Sequence, residues 1–598
     1  MFLRHVQRRH GCHWFCSSRL AIVALCAAAG LAAGRSAFAV TFTRILDPAN
    51  PVVNDLAESG GGCWIDLQDN GDGLLDLYVA NGNLTNQDDA LYVNTGSGFV
   101  KVVTGPVVHD GGSSIGGTWG DYDADGRADL FVTNRNNFGN FLYHAESETT
   151  FTKITTGEIV TDIGNSNSSS WTDLDGDGRL DMYVVNFGGP DFAYLNGGPP
   201  SFGFAGVDTL APGQGTASTI PGAWADYDND LDQDLFLGIA GNVNDHLYRN
   251  DGGLRFTDIP FSDARATLGA SWGDFDNDGD LDLFTAIFLN QGNILYRNGG
   301  APGFALAPVD VSILPANAGN SVGSGWGDYD NDGDLDLFVA NDGQKNMLFE
   351  NSGPPAYAFT RILTGAIVSD GGNSFGAVWG DYDADGDLDL FVANRLNQVN
   401  FLYRNDGTAN HWLKVRLAGT ASNRSAIGAK VRVLATIGGA ARWQTREVVA
   451  QTGYNSQNLE LHFGLGNAVI ADSVRVEWPS GETDRLHGIG ADRLLRIVEG
   501  QGPVGIAPAP DPPGAALGLW QLGTGDPIVQ FQLPRAAMVQ LALYDIAGRR
   551  VATLLEGQRA AGLHTERLVV AAGEPRSVYL CRLLADRETR AIKLLVLR

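Results

Sequence analysis

Four carboxylates stand at Asp328, Asp330, Asp332 and Asp336, with Gly333 between the third and fourth, in the run Trp326-Gly-Asp-Tyr-Asp-Asn-Asp-Gly-Asp-Leu-Asp336. Like charges crowded in this way are unfavourable unless a cation neutralises them. A D-x-D-x-D-G-x-x-D loop turns alternate side chains inward around a hard, oxygen-seeking ion. Its glycine permits the bend, and a backbone carbonyl, here that of Asp334, fills a further position. Roughly six to eight oxygens at calcium distances suit so flexible a loop better than the strict octahedron of magnesium.

The motif recurs. Trp64, Trp119, Trp171, Trp224, Trp272, Trp326 and Trp379 each open a version of it, at intervals of 55, 52, 53, 48, 54 and 53 residues. The candidate calcium ligands are Asp121, Asp123, Asp125 and Asp129; Asp173, Asp175, Asp177 and Asp181; and Asp274, Asp276, Asp278 and Asp282. The loop at Asp328–Asp336 and that of Asp381, Asp383, Asp385 and Asp389 complete the regular set. Two loops depart from it. Asp226, Asp228, Asp230 and Asp234 keep the carboxylates but place Leu231 where glycine belongs, which predicts strain and a weaker or empty site. The first loop has two extra residues; Asn70, Asp72 and Asp76 keep their places, and Asp66 or Gln68 serves as first ligand. Up to seven calcium ions are expected, structural in role, at the ~10⁻⁴–10⁻³ M affinities of extracellular modules.

Such loops need rigid hairpins to carry them. A small-residue strand leads to each Trp, as in Ser321-Val-Gly-Ser-Gly-Trp326, and a strand such as Asp389-Leu-Phe-Val-Ala-Asn394 follows the loop. A third strand reads Leu402-Tyr-Arg-Asn405 and ends in Asn/Asp-Gly turn chemistry. A fourth is headed by Phe99, Phe151, Phe204, Phe256, Phe304 or Phe359. Four strands in a repeat of about 50 residues predict a propeller blade, and the seven repeats a seven-bladed ring. Two segments compete for the last outer strand. Phe42-Thr-Arg-Ile-Leu46 repeats Phe359-Thr-Arg-Ile-Leu363 letter for letter and would clasp the first and last blades; His411-Trp-Leu-Lys-Val-Arg-Leu417 is the alternative. One Trp per blade at one strand position is expected to be inter-blade core rather than a sugar platform.

The 598 residues carry a formal net charge of −28, with 78 Gly and no long segment of helical period, which predicts a nearly all-β chain of several domains. Arg4, Arg8, Arg9 and Arg19 precede an apolar run from Leu20 to Ala33, and Ala37-Phe-Ala39 supplies small residues for cleavage. Residues 1–39 therefore read as a secretory signal peptide, too short in its apolar part to span a membrane. They hold five arginines and no acid, so the chain beyond them carries −33, which argues against a nucleic-acid partner. Only Cys63 and Cys581 remain beyond the leader, in different expected domains, and are expected to be free. The histidines occupy unrelated places, and no H-E-x-x-H or G-x-S-x-G frame occurs, so no catalytic residue is assigned.

Residues 41–410 resemble the FG-GAP/VCBS repeats of integrin-α-type calcium-binding propellers, which implies calcium in blade hairpins and a role in adhesion or ligand display. Beyond them stand Asn423-Arg-Ser-Ala-Ile-Gly-Ala-Lys-Val-Arg-Val433, Thr452-Gly-Tyr-Asn-Ser-Gln457, Leu461-His-Phe-Gly-Leu-Gly466 and Val474-Arg-Val-Glu-Trp-Pro-Ser-Gly481. These resemble the ASPIC/UnbV module that accompanies such repeats in cartilage-acidic-protein-like chains. The strands from Val529 to Leu597 are similar to FlgD-like immunoglobulin-type modules and to C-terminal sorting domains of type IX secretion, although Leu519-Trp-Gln-Leu522 replaces the usual Asn-Pro-Phe opening. The expected order is signal peptide 1–39, propeller 40–409, ASPIC/UnbV-like β domain 410–499, Pro-rich linker 500–514 and immunoglobulin-like β-sandwich 515–598. The reading is a secreted or cell-surface calcium-binding propeller that binds a protein or polysaccharide, with type IX-like secretion machinery a further partner through the tail. The alternative is an extracellular carbohydrate-active enzyme with its site on the propeller axis.

Overall fold

The computed structural model describes residues 40–598 except 68–72, 83–84, 208–217, 242, 452–457, 509–517, 523–527, 534–536, 545–548, 560–561, 568–576, 586–587 and 597–598. The signal-peptide expectation for residues 1–39 lies outside the described residues, as does the motif at 452–457. Among the described residues no helix is long and apolar enough to cross a membrane.

Each repeat supplies a four-stranded antiparallel blade, seven in the described residues; blades six and seven are joined into one eight-stranded sheet where residues 342–345 pair with residues 371–373. In blade two the inner strand Ser114–Gly120 is followed by Asp129–Asn134, Phe141–Ser147 and the outer strand Thr150–Ile154. The acidic loop is the hairpin between the first two. Second strands such as Asp389–Asn394 are buried along their whole length because blades pack on both faces. Inner strands are built of Gly, Ala and Ser because they converge on the axis. Each touches its neighbours around the circle, and Gly371–Gly380 of blade seven returns to Ser59–Ile65 of blade one.

The tryptophans are inter-blade core. The indole N–H groups of Trp171, Trp272, Trp326 and Trp379 donate to the carbonyls of Thr118, Ala223, Ser271 and Gly325 in the preceding blade. Trp64 closes the circle by donating to Val378 O at 3.2 Å. The loop tyrosine of one blade stacks on the next blade's Trp, as Tyr122 does on Trp171 and Tyr382 on Trp64. A Cβ at Gly380 would lie 2.6 Å from the Trp64 ring of blade one, which is why glycine follows Trp379.

The seam is closed by the N-terminal segment. Phe42–Arg44 pairs antiparallel with Phe401–Asn405, Phe42 opposite Asn405, and the Thr41 and Thr43 hydroxyls donate to Asp406. The competing segment His411–Ala418 lies in the second domain instead, between Glu460–Gly466 and, in parallel, Arg493–Val498. One expected strand head is corrected. In blade five the outer strand is Leu306–Pro308, and Leu306 stands opposite Asn298 as Phe256 stands opposite Asn250. Phe304 precedes it at φ 45°, the counterpart of Phe202 and Tyr357 in turns of the same length.

The second domain stacks two four-stranded sheets, one running from Glu460–Gly466 to Gly502–Pro508 and the other built on Lys430–Ile437. Gly502–Pro508, expected in the linker, is thus a strand paired with Arg493–Val498. The C-terminal region contributes a three-stranded sheet centred on Ile528–Leu533 and a four-stranded sheet built on Ala537–Tyr544 and Ser577–Ala585. Cys63 and Cys581 are buried and free.

Candidate metal centre

In every regular loop the backbone wraps around its first aspartate. In blade six the N–H of Asp332 donates to Asp328 Oδ1 at 3.0 Å and that of Gly333 to Asp328 Oδ2 at 2.9 Å. Blades two, three, four, five and seven repeat this pair of bonds. The fourth loop residue takes a left-handed conformation at Ala124, Asn229, Asn277, Asn331 and Ala384, with φ between 55° and 61°. The last aspartate begins the second strand, where two backbone amides clamp it: Tyr329 and Asn351 donate to Asp336 at 3.3 and 2.8 Å. Its remaining lone pairs face the loop.

The carboxylates converge. Ligand-capable oxygens of Asp121, Asp123 and Asp125, of Asp173, Asp175 and Asp181, of Asp226, Asp228 and Asp230, and of Asp274, Asp276 and Asp282 lie within 4.8 Å of one another. Burial, reinforced by like charge, pushes Asp121, Asp181 and Asp274 up to about 7. Asp328, Asp336 and Asp389 are raised well above the ordinary carboxylate range for the same two reasons. Asp228 Oδ1 and Asp276 Oδ1 are buried without a hydrogen-bond partner. An all-oxygen, strongly anionic set with orphaned lone pairs turned inward fits a hard divalent cation of calcium's kind.

Blade four keeps this geometry without its glycine. Leu231 adopts φ 79°, against 95–97° for Gly126, Gly279, Gly333 and Gly386, and still donates to Asp226 Oδ2 at 2.9 Å. The loop is therefore strained but formed. In blade one Asn70 and Asp72 lie outside the described residues. Asp76 accepts the Leu67 and Asn94 amides as its counterparts do, and Asp66 Oδ2 lies 3.5 Å from Arg496. Blade two adds His144, whose Nδ1 is 3.2 Å from Asp129 and 3.4 Å from Asp123.

Two groups of residues escaped the sequence reading. The asparagine ending the third strand of every blade but the second, which has Ala145 there, makes the expected turn, its Oδ1 accepting an N–H two residues on in blades five, six and seven. It also reaches the preceding blade: Asn298 Nδ2 donates to Tyr227 O, Asn351 to Phe275 O, Asn405 to Tyr329 O and Asn94 to Tyr382 O, at 2.6–2.9 Å. These amides tie acidic loops of neighbouring blades together. Their regular L-Y-x-N spacing was the available signal.

The second group lies in the second domain, which covers the loop face. Lys430, buried, is 2.9 Å from Asp226 Oδ2, and Lys414, also buried, is 2.8 Å from Asp381 Oδ2 and 3.1 Å from Glu460. Burial alone would lower the Lys414 ammonium, but Asp381 and Glu460 outweigh it and hold it above its ordinary value. Arg442 pairs with Asp334 at 3.1 Å. The short strand Ala450–Gln451 adds to the inner strand of blade three, and the Gln451 side chain accepts the Trp224 amide. No spacing within either domain announces these partners. Between the inner strands of blades four to seven and this domain lies an axial cavity of about 140 Å³, lined by Trp272, Trp326, Lys414, Arg446, Glu460 and His462.

Comparison with known proteins accounts for this layout. The FG-GAP-like repeat family matches residues 70–132, 121–184, 173–237, 226–285 and 328–392, and the ASPIC and UnbV family matches residues 419–504. The chain carries FG-GAP-like repeats followed by an ASPIC/UnbV domain. It is homologous to cartilage acidic protein 1: 32% identical over 167 residues to the Mus musculus protein, covering 26% of this chain and 25% of that one. The Homo sapiens protein is likewise 32% identical over 167 residues, with 26% and 24% covered. The chain thus spans about a quarter of the length of these curated relatives. A solved structure concerned with recognition of non-reducing terminal N-acetylglucosamine by an Agrocybe aegerita lectin is 14% identical, with TM-score 0.37 over 58% of this chain and 93% of that one. The ASPIC/UnbV domain is therefore the element seated on the acidic loops of the FG-GAP-like repeats.

Proposed function

We propose that this is a secreted or surface-displayed binding protein whose FG-GAP-like propeller holds structural calcium ions and engages a protein ligand through the face away from its ASPIC/UnbV domain. The observation that carries this reading is the occupation of the acidic-loop face by that domain, which leaves the opposite loops free. Those loops expose Phe138, Phe187, Leu289 and Leu396 (38–58% accessible), each between the second and third strand of its blade. These four side chains offer apolar contact points on the uncovered face, and isolated Leu and Phe fit a protein better than the stacked aromatic platforms that sugars require. Extracellular placement is supported by the repeat family and by the homology to cartilage acidic protein 1.

The test is a binding screen of the whole chain, in calcium, against purified extracellular proteins and polysaccharides. A protein hit abolished by Phe187→Asp and Leu396→Asp supports the reading; hits only among polysaccharides, or hits indifferent to both changes, sink it. A second reading has one observation in its favour. The axial cavity brings Arg446, Glu460 and His462 together outside the acidic loops, and burial pushes the His462 imidazole down to about 4, keeping it neutral. Turnover of a polysaccharide that is lost in His462→Ala would make the protein an enzyme.

A further inference from the structure

The ASPIC/UnbV domain does not merely rest on the acidic loops; it hydrogen-bonds atoms that occupy their places only while each loop is wrapped. In blade six the Gly466 N–H donates to Asn331 O at 2.7 Å and the Gly464 N–H to Asp328 Oδ2 at 3.0 Å. In blade seven His462 Nε2 donates to Gly386 O at 3.0 Å. In blade four Lys430 donates to Asp226 O at 2.6 Å as well as meeting its carboxylate.

The choice of carboxylate oxygen follows one rule. Asp226, Asp328 and Asp381 each give Oδ2 to the domain, through Lys430, the Gly464 amide and Lys414. Oδ1 of the same three accepts the loop amides of Asp230, Asp332 and Asp385, while Oδ2 accepts those of Leu231, Gly333 and Gly386 in addition to the contact from the domain. We propose that the ASPIC/UnbV domain is the outer coordination layer of the ion loops, so that ion loading and docking of the domain on the propeller are one linked equilibrium. This rests on the calcium reading of the loops.

The physical argument has two parts. Without a cation the carboxylates of a loop repel one another, the wrapped backbone loosens, and the acceptors for Gly466, His462 and Lys430 disperse. With the cation, four aspartates and a divalent ion still leave a charge of roughly −2, so the lysines remain attracted after loading. Groups that orient ligands from outside tune metal affinity, commonly by about 10–100-fold. Linkage is reciprocal: whatever fixes the loops strengthens docking, and docking strengthens ion binding by the same factor.

Residue-resolved hydrogen exchange of the whole chain in calcium and in EGTA tests this. The Gly333 and Gly386 amides report the loops, since they donate to Asp328 and Asp381. The Gly464 and Gly466 amides report docking, and the sheet of Lys430–Ile437 with Ala440–Glu447 reports the fold of the domain itself. Expected is a rise in exchange of about tenfold or more at all four glycines in EGTA, with that sheet unchanged. A rise at Gly333 and Gly386 alone overturns the linkage and leaves the calcium reading standing; no response at any of the four removes the calcium reading itself. Asp332→Asn, measured in calcium, should raise exchange at Gly464 and Gly466 and spare Gly386; protection retained at Gly464 and Gly466 overturns the proposal.

Discussion

Leu231 holds a backbone conformation that its counterparts in the other regular loops leave to glycine, and it does so to keep one amide on Asp226. Leu231→Gly should relieve that strain and raise the unfolding free energy by about 1 kcal/mol, read from urea denaturation in saturating calcium. An unchanged or lowered midpoint would show that the leucine is not strained. The loop carboxylates set a pH dependence. The folded values of Asp121, Asp181 and Asp274 lie above the ordinary 3.8, up to about 7, so the metal-free native state takes up more protons than the unfolded chain. Its stability is therefore greatest in acid and falls as pH rises from about 4 through about 7. In chelator the melting temperature should drop across that window; in calcium, which binds the ionised form, the drop should vanish. Parallel curves with and without calcium would contradict the site. The ligand types and their spacing were readable in the chain, because a nine-residue loop is a local object. The aspartates' outer partners, Lys430 and Lys414, were not, because they lie about 200 and 33 residues away.

The blade is the element on which everything else is hung. Its four strands follow from alternating patterns, and its register from the Trp–loop–strand order. The seam is where a single strand matters most. Phe42 packs against Tyr329 and Trp379 at ring-centre distances of 5.5 and 6.1 Å, and its strand supplies the outer edge of blade seven. Phe42→Ala should cost about 2 kcal/mol or more, and removal of residues 41–46 should open the ring and lower the melting temperature by several degrees. Equal stability with and without the segment would mean that the indole bond of Trp64 to Val378 suffices for closure. The letter-for-letter repeat at Phe42 and Phe359 made this strand legible. Phe304 was misplaced for the opposite reason: two aromatics are two residues apart in this turn family, and in blade five the strand-heading position holds Leu306, so the residue type pointed to the wrong one.

At the scale of the whole molecule the acidic face is an internal surface. The FG-GAP-like repeats supply carboxylates and the ASPIC/UnbV domain supplies Lys414, Lys430 and Arg442 against them. Chelation should therefore lower the melting temperature of the full chain in one cooperative transition covering both regions. Two separate transitions, with only one sensitive to calcium, would argue that the interface carries little stability. Among the described residues the two cysteines are buried and free, so buried charge pairs such as Lys414 with Asp381, rather than a disulfide, join the two domains.

Taken alone, the sequence determined the repeat, the blade count, the all-β class and the positions of the acidic loops. Each of these is a short-range or periodic property, carried by residues within one hairpin or one turn of the repeat. Only the tertiary structure decided which face of the ring is covered, which asparagines bind one blade to the next and which lysines answer the aspartates. Those outcomes depend on where two separately patterned domains meet, and charge complementarity between distant surfaces leaves no period in the chain.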